Sequence, residues 1–149
     1  MFTDKGIFKR LKEDHEEVSS LMEKLAGMSE DDPNRAKTFA TIRDELLRHS
    51  EAEDQIFYAK LRQHEETRDQ ILESKEEHKV IEKLLRELDR NDETSDQWTA
   101  KFEVLKENVE HHVEEEENEL FPKAKKVIDK EEAERLGEDF EREKRSLSR

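Results

Sequence analysis

Apolar residues recur every three or four positions through most of the chain, a spacing that predicts amphipathic helices. Cap signals set the ends of four long helices, here called A to D. Helix A is expected to begin near Thr3 or Asp4 and to end near a glycine cap at Gly27. Helix B is expected to begin at an Asp32 N-cap, with Pro33 in the first helical position, and to end near Arg62.

The second half of the chain carries equivalent signals. Thr67 and Gln70 resemble a capping box, which starts helix C, and that helix is expected to end around Asn91. Ser95 is expected to cap helix D, which runs to about Leu120, where Pro122 breaks or kinks it. The remaining tail, from Lys123 to Arg149, is expected to add one or two amphipathic turns through Val127, Ile128, Leu136 and Phe140.

The predicted helices are joined by short connections of about 4–7 residues, which favour antiparallel neighbours. We therefore expect an all-α fold, namely an up-down-up-down antiparallel four-helix bundle with a short C-terminal helical tail. A single domain is expected over residues 1–149, with the bundle over about 4–120 and the tail over about 123–146.

The composition permits such a core but leaves it small. Although 47% of the residues are charged, Leu, Ile, Val and Phe make up about 22% of the chain, just above the level of about 20% that signals disorder. The net charge of −14 opposes binding to nucleic acid or to an anionic membrane, because both carry negative charge. We expect neither as a partner.

The absence of cysteine excludes thiolate zinc sites and cysteine-ligated clusters. No apolar export signal and no run of 18 apolar residues occurs, so neither export nor membrane spanning is expected. The expected location is the cytoplasm. The expected state is a monomer, with an oligomer left open.

Each apolar stripe is interrupted by a polar residue at a position that should face the core. Every helix carries one inward histidine, and helices B and D add a glutamate one turn later. The stripes are Phe8, Leu11, His15, Val18, Leu21 or Met22, and Leu25 in helix A; Phe39, Ile42, Leu46, His49, Glu53 and Ile56 in helix B; Ile71, Ser74, His78, Ile81, Leu85 and Leu88 in helix C; and Phe102, Leu105, Val109, His112, Glu116 and Leu120 in helix D.

One inward histidine is usually an ordinary core residue, but four on four separate helices have a chance probability of about 3%, since a stripe covers about three of seven positions. Burying these imidazoles and carboxylates unpaired would cost several kcal/mol per group. A bound cation removes that objection. The hypothesis is a metal site formed by His15, His49, Glu53, His78, His112 and Glu116.

The spacing of His49 to Glu53 and of His112 to Glu116 stacks an imidazole and a carboxylate on one helix face, about 6 Å apart. Each carboxylate can then bridge two metals, so that two nitrogens and two oxygens serve each ion. An oxo or hydroxo bridge completes five ligands and leaves an open position. These donors favour two non-haem iron ions, with manganese as the alternative.

At these residues the chain resembles the hemerythrin-like HHE cation-binding family. The matching segments are KEDHEEV, LLRHSEAEDQIFY, SKEEHKVI and HVEEEENELFP. The resemblance implies a bundle holding a non-haem di-iron site with the six ligands named above. It also implies that a small ligand such as O2, NO or H2O2 binds there, in sensing, scavenging or redox and iron homeostasis.

One position departs from the oxygen-carrying members of that family, which have two histidines on helix C where this chain has Ser74 and His78. The departure argues against reversible oxygen carriage. Turnover is left open, the candidate activity being weak peroxidase-like, catalase-like or NO-related chemistry. The alternatives are iron storage or delivery, an iron-sulfur repair-type role without turnover, a ferritin-like carboxylate oxidase, and a helical interaction module without metal.

Four further side chains have open roles. Ser74 could hydrogen-bond a bound ligand or serve as a small helix contact, and Glu82 could be a seventh ligand, although its position off the stripe favours a solvated role. Tyr58 and Trp98 could pass electrons or simply pack. The second ring N–H of each ligand histidine is expected to meet a carboxylate or carbonyl, with too many acidic candidates to choose among.

Overall fold

The computed structural model describes residues 6–90 and 94–147, and every regular element within them is helical. Helix α1 spans Ile7–Ala26. Helix α2 is one rod built from Arg35–Glu53, a π-helical turn at Asp54–Tyr58, and Ala59–Leu61. Helix α3 spans Glu65–Asp89. Helix α4 is built in the same way as α2, from Asp96–Glu115, a π-helical turn at Glu116–Leu120, and Phe121–Val127, and α5 spans Lys130–Ser146.

The predicted start of helix B was wrong by two residues. Asp32 accepts a hydrogen bond from the Asn34 N–H at 2.8 Å through its side chain, and another from the Arg35 N–H at 3.1 Å through its carbonyl. These bonds close a tight turn ahead of the helix, so α2 begins at Arg35. The predicted start of helix A, at Thr3 or Asp4, lies outside the described residues, and Gly6 is the N-cap of α1.

The capping box predicted for helix C was also wrong. Helix α3 begins at Glu65, and the buried Thr67 uses its hydroxyl to donate to the Leu61 carbonyl at 2.6 Å, which fastens α3 to the end of α2. The predicted end at Asn91 lies outside the described residues, and α3 itself ends at Asp89. The Ser95 N-cap of helix D is confirmed, because its hydroxyl accepts from the Trp98 N–H at 3.1 Å.

Pro122 neither ends nor breaks α4. A proline inside a helix normally clashes with the carbonyl four residues earlier. Here the π-helical turn precedes it, with the Phe121 N–H donating to the Glu116 carbonyl five residues back. This wider turn displaces the carbonyls that the proline ring would otherwise meet, so the helix continues to Val127.

The bundle has two apolar cores with a polar layer between them. One core contains Ile7, Leu11, Phe57, Leu61 and Phe121 among others, and the second contains Val18, Met22, Ile42, Leu85 and Phe102 among others. Along α1 the chain passes from the first core through His15 to the second, and along α2 it returns through His49 to the first. Helices α3 and α4 repeat this course through His78 and His112, so neighbouring helices run antiparallel, as predicted.

The C-terminal tail is helical, as predicted, but its helix is longer than one or two turns and packs on the bundle. Helix α5 lies against α1 and α2 and buries Ala133, Leu136 and Phe140, of which Phe140 has no exposed surface. Asp129 caps α5 by accepting from the Glu132 N–H at 2.8 Å. In residues 6–90 and 94–147, no helix combines the length and apolarity that crossing a membrane requires.

Candidate metal centre

The six side chains predicted as metal ligands lie together in the polar layer, and all six are buried. They form two donor groups that share Glu53. The His49 group consists of His15, His49, Glu53 and Glu116, and the His112 group consists of Glu53, His78 and His112. Within each group the ligand atoms lie within 4.8 Å of one another, which is close enough for one cation to contact them all.

All four imidazoles point their Nε2 atoms toward the two buried glutamates. The distances to Glu53 Oε1 are 3.5 Å from His49 and 3.2 Å from His78, and His15 Nε2 lies 3.2 Å from Glu116 Oε1. His112 Nε2 lies 3.6 Å from Glu116 Oε2 and only 3.1 Å from His78 Nε2. Four nitrogen donors and two carboxylates therefore face one another in the middle of the bundle.

The opposite ring nitrogen, Nδ1, of each histidine contacts a carboxylate from a neighbouring helix. We call these four residues the outer carboxylates. The contacts are Asp14 to His49 at 2.9 Å, Asp54 to His78 at 2.9 Å, Glu77 to His112 at 2.7 Å, and Glu117 to His15 at 2.6 Å. The pairs run from α1 to α2, α2 to α3, α3 to α4 and α4 back to α1. This closed ring fixes each imidazole with its Nδ1 proton outward, which leaves Nε2 free to bind a cation.

The π-helical turns position two of the outer carboxylates and one aromatic side chain. Each turn directly follows or begins at a buried glutamate, Glu53 or Glu116, and π-helical turns are frequently found at functional sites. In α2 the wider turn shifts the buried face, so Ile56, predicted to lie inward, is only partly buried, while Tyr58 has no exposed surface. The predicted helical period missed this shift.

Several donor atoms in the layer are buried without a hydrogen bond. Among the described residues, these include both carboxylate oxygens of Glu53, Oε1 of Glu116 and Nε2 of His15. A buried carboxylate without compensation is costly, and a cation between these atoms would satisfy all of them. The residues present therefore suit cation binding.

The negative charge of the layer raises the pKa of three of its imidazoles, those of His15, His49 and His78. Burial alone would lower the pKa of His15, but hydrogen bonds to Glu116 and Glu117 outweigh it and raise that pKa to about 10. Burial would also lower the pKa of His78, but the interactions with Asp54 and Glu53 outweigh burial and raise that pKa to about 10. Burial would raise the pKa of Glu53, yet His49 and His78 hold it well below its usual range. Positive charge is thus favoured at the positions that a cation would occupy.

A profile of the hemerythrin HHE cation binding domain matches residues 6–124 of the sequence. The chain belongs to this family. It is therefore a non-haem metal-binding domain, in agreement with the buried His and Glu groups.

A solved structure shares the fold of this hemerythrin HHE domain. It is a hemerythrin HHE cation binding domain-containing protein from Mycobacterium kansasii, 24% identical, with a TM-score of 0.85 over 95% of this chain and 86% of that chain. No curated protein shows significant sequence similarity to the chain. The family match ends before α5, whereas the structural likeness extends over nearly the whole molecule.

Tyr58 lies beside these ligands, although packing was the more ordinary of the two roles expected for it. Its ring stacks on His78 at 5.2 Å, and its hydroxyl donates to Glu116 and lies 3.4 Å from His112 Nε2. Burial, with the charges of Glu116 and Glu53, raises the pKa of Tyr58 well above its usual value. Ser74 is buried beside it and hydrogen-bonds the same hydroxyl. The oxygen of Tyr58 therefore lies next to the predicted metal ligands Glu116 and His112.

Glu82 and Trp98, whose roles were open, lie outside the two donor groups, and so does His111. Glu82 is partly exposed on α3 and belongs to neither group. Trp98 lies in the second apolar core, where its ring N–H donates to the Leu88 carbonyl at 2.9 Å. His111 is exposed and pairs with Glu115 at 2.9 Å.

A small cavity of about 20 Å³ adjoins the imidazoles on the side of the second core. Its apolar lining includes Val18, Leu46, Ile81, Val109 and Val113. A volume of roughly 10–15 Å³ is enough for one water molecule, so this cavity has room for a molecule of two or three atoms.

Proposed function

We propose that the chain is a non-haem di-iron protein that binds O2, NO or peroxide in sensing, scavenging or redox and iron homeostasis. The observation that carries the proposal is the double contact of each histidine. All four Nε2 atoms face the two buried glutamates, while all four Nδ1 atoms are held by the outer carboxylates. An ordinary core histidine has no need of such an arrangement.

The proposed ligands are His15, His49, Glu53, His78, His112 and Glu116. Glu53 belongs to both donor groups and would hold both ions, and Glu116 reaches His15 with one oxygen and His112 with the other. Nitrogen and carboxylate donors without thiolate favour iron, with manganese as the alternative. When bound, the iron pair supplies a redox change and coordination positions for an added ligand.

Two further features support a small ligand. The cavity beside the imidazoles limits the ligand to a few atoms, and its apolar wall favours an uncharged molecule such as O2 or NO. On the opposite side, Tyr58 holds a proton on its hydroxyl, because burial and the neighbouring glutamates disfavour its ionised form. That hydroxyl donates to Glu116 and so orients its carboxylate, while Ser74 hydrogen-bonds the hydroxyl itself.

The test is anaerobic loading with Fe²⁺, followed by metal analysis and by visible absorption after exposure to air. We expect one iron for each donor group, hence two per chain, and charge-transfer absorption once the iron is oxidised. Glu53→Gln should lose most of the iron, whereas Glu51→Gln, an exposed control two residues away, should retain it. An iron-free native chain after careful loading would refute the proposal.

Ligand assays on the loaded protein then separate the roles. Rapid binding of NO would support sensing or scavenging, and sustained consumption of peroxide would support a peroxidase-like or catalase-like activity. Slow release of iron to a chelator, without either response, would support storage or delivery instead.

A further inference from the structure

The two halves of the site are related by an approximate twofold repeat. The pair Asp14–His15 on α1 corresponds to Glu77–His78 on α3, and Glu53–Asp54 on α2 corresponds to Glu116–Glu117 on α4. The aromatic residues five positions after the buried glutamates also correspond, since Tyr58 stacks on His78 and Phe121 stacks on His15. The repeat makes any difference between the halves easy to identify.

Helix α5 breaks the repeat on one side only. It packs on α1 and α2, and its Lys144 ammonium lies 2.9 Å from both carboxylate oxygens of Asp14. Asp14 in turn contacts His49 Nδ1 at 2.9 Å, and the Phe140 ring meets the His49 ring edge to face at 5.7 Å. Within residues 6–90 and 94–147, the other outer carboxylates, Asp54, Glu77 and Glu117, have no lysine or arginine within ion-pair distance.

Both members of this ion pair are largely removed from water. The side chains of Lys144 and Asp14 are only 13% and 11% exposed. Solvent therefore screens the lysine charge much less than it would at the surface. The charge and the geometry of Asp14 are both fixed by a residue that lies beyond the matched family region, which ends at residue 124.

We propose that Lys144 is a positioning residue that acts through Asp14 on His49 and makes the two cation positions unequal. This inference rests on the proposed metal site. The ammonium neutralises Asp14, so His49 donates its Nδ1 proton to a carboxylate whose charge is already balanced. Such an imidazole binds a metal through Nε2 less strongly than an imidazole whose carboxylate partner carries its full negative charge. The His49 group therefore binds a divalent cation less tightly than it would if Lys144 did not neutralise Asp14.

The test is calorimetric titration of the metal-free chain with Co²⁺ under nitrogen, which yields two stepwise association constants. Lys144→Met should raise one constant by about tenfold, the lower end of the roughly 10–100-fold by which changes behind a ligand histidine alter metal affinity. The other constant should change by less than about twofold. Lys144→Arg keeps the charge and should restore both constants.

A matched control separates this effect from loosening of α5. Lys60 pairs with Glu132 at 3.0 Å and also ties α5 to α2, away from the histidines. Lys60→Met should therefore leave both constants unchanged. In an Asp14→Asn background, Lys144→Met should have no further effect, because the charge acts through Asp14. Circular dichroism of each variant verifies that it is folded.

The outcomes distinguish the two proposals. No uptake of Co²⁺ by the native chain would overturn the metal site and this inference with it. Uptake of two ions with constants that Lys144→Met leaves unchanged, or changes equally, would overturn this inference alone. The same holds if Lys60→Met reproduces the effect or if the effect persists in the Asp14→Asn background.

Discussion

Cation binding by this domain should release protons and should strengthen as the pH rises. A cation needs the Nε2 lone pairs of His15 and His78, yet in the metal-free chain both imidazoles are protonated at neutral pH, because each has a pKa of about 10. The proton on Nε2 must leave, whereas the proton on Nδ1 stays on the ring and is donated to the outer carboxylate. Glu53 is already ionised, since its pKa is well below the usual value.

The magnitude follows from these two pKa values. Below a pKa of about 10, removing each proton costs about 1.4 kcal/mol more for every pH unit of acidification. With two such protons, the overall association constant should rise about a hundredfold per pH unit between about pH 7 and pH 9. His49, whose pKa is also raised by Glu53 and Asp14 despite its burial, can only steepen this dependence.

The assay is calorimetric titration with Co²⁺ in buffers of different ionisation enthalpy, which counts the protons released, repeated across the pH range. Glu117→Gln removes the Nδ1 partner of His15 and should flatten the pH dependence, because that imidazole then loses part of what raises its pKa. Glu114→Gln, an exposed control in the same acidic run, should leave it unchanged. A constant that is independent of pH, or that falls as the pH rises, would refute the reasoning.

Three further predictions concern stability of the metal-free chain in urea unfolding. Tyr58→Phe leaves Glu116 without its buried hydroxyl donor and should cost about 1–3 kcal/mol, so an unchanged midpoint would contradict the role given to that hydrogen bond. Ser95→Ala removes the N-cap of α4 and should cost about 1 kcal/mol, a loss that should be absent if the cap bond is unimportant. Phe140→Ala should cost about 3–5 kcal/mol, whereas Leu72→Ala, at a partly exposed position, should cost much less; equal losses would show that α5 is not part of the core.

The helical stripes and the inward histidines could be predicted because they depend on a local period. A residue that falls on an apolar stripe faces the core whichever helix lies opposite. His15, His49, His78 and His112 therefore needed only the spacing within their own helices. The helix starts were harder, since Asp32 and Thr67 can cap a helix or make a different turn with the same side-chain oxygen.

The π-helical turns and the contacts of Tyr58 could not be predicted from a regular period. A single extra residue in one turn shifts all later side chains by about 100° around the helix axis. Ile56 then moves outward, and Phe57 and Tyr58 move inward. The sequence does carry a signal, because Phe57, Tyr58 and Leu61 form a better apolar face than one that continues through Ile56.

The outer carboxylates follow from geometry once an antiparallel bundle is accepted. Consecutive residues on a helix point about 100° apart, so the neighbour of an inward ligand points toward the next helix in a square bundle. Neighbouring helices run in opposite directions. Going around the bundle axis in one direction, the residue that points to the next helix is therefore the one before the ligand on α1 and α3 and the one after the ligand on α2 and α4. In that direction the neighbours of His15, Glu53, His78 and Glu116 are Asp14, Asp54, Glu77 and Glu117, all acidic. In the opposite direction they are Glu16, Ala52, Lys79 and Glu115, a mixture that could not hold four imidazoles. The alternation of helix direction therefore explains why these four acidic residues, taken from many, form one closed ring.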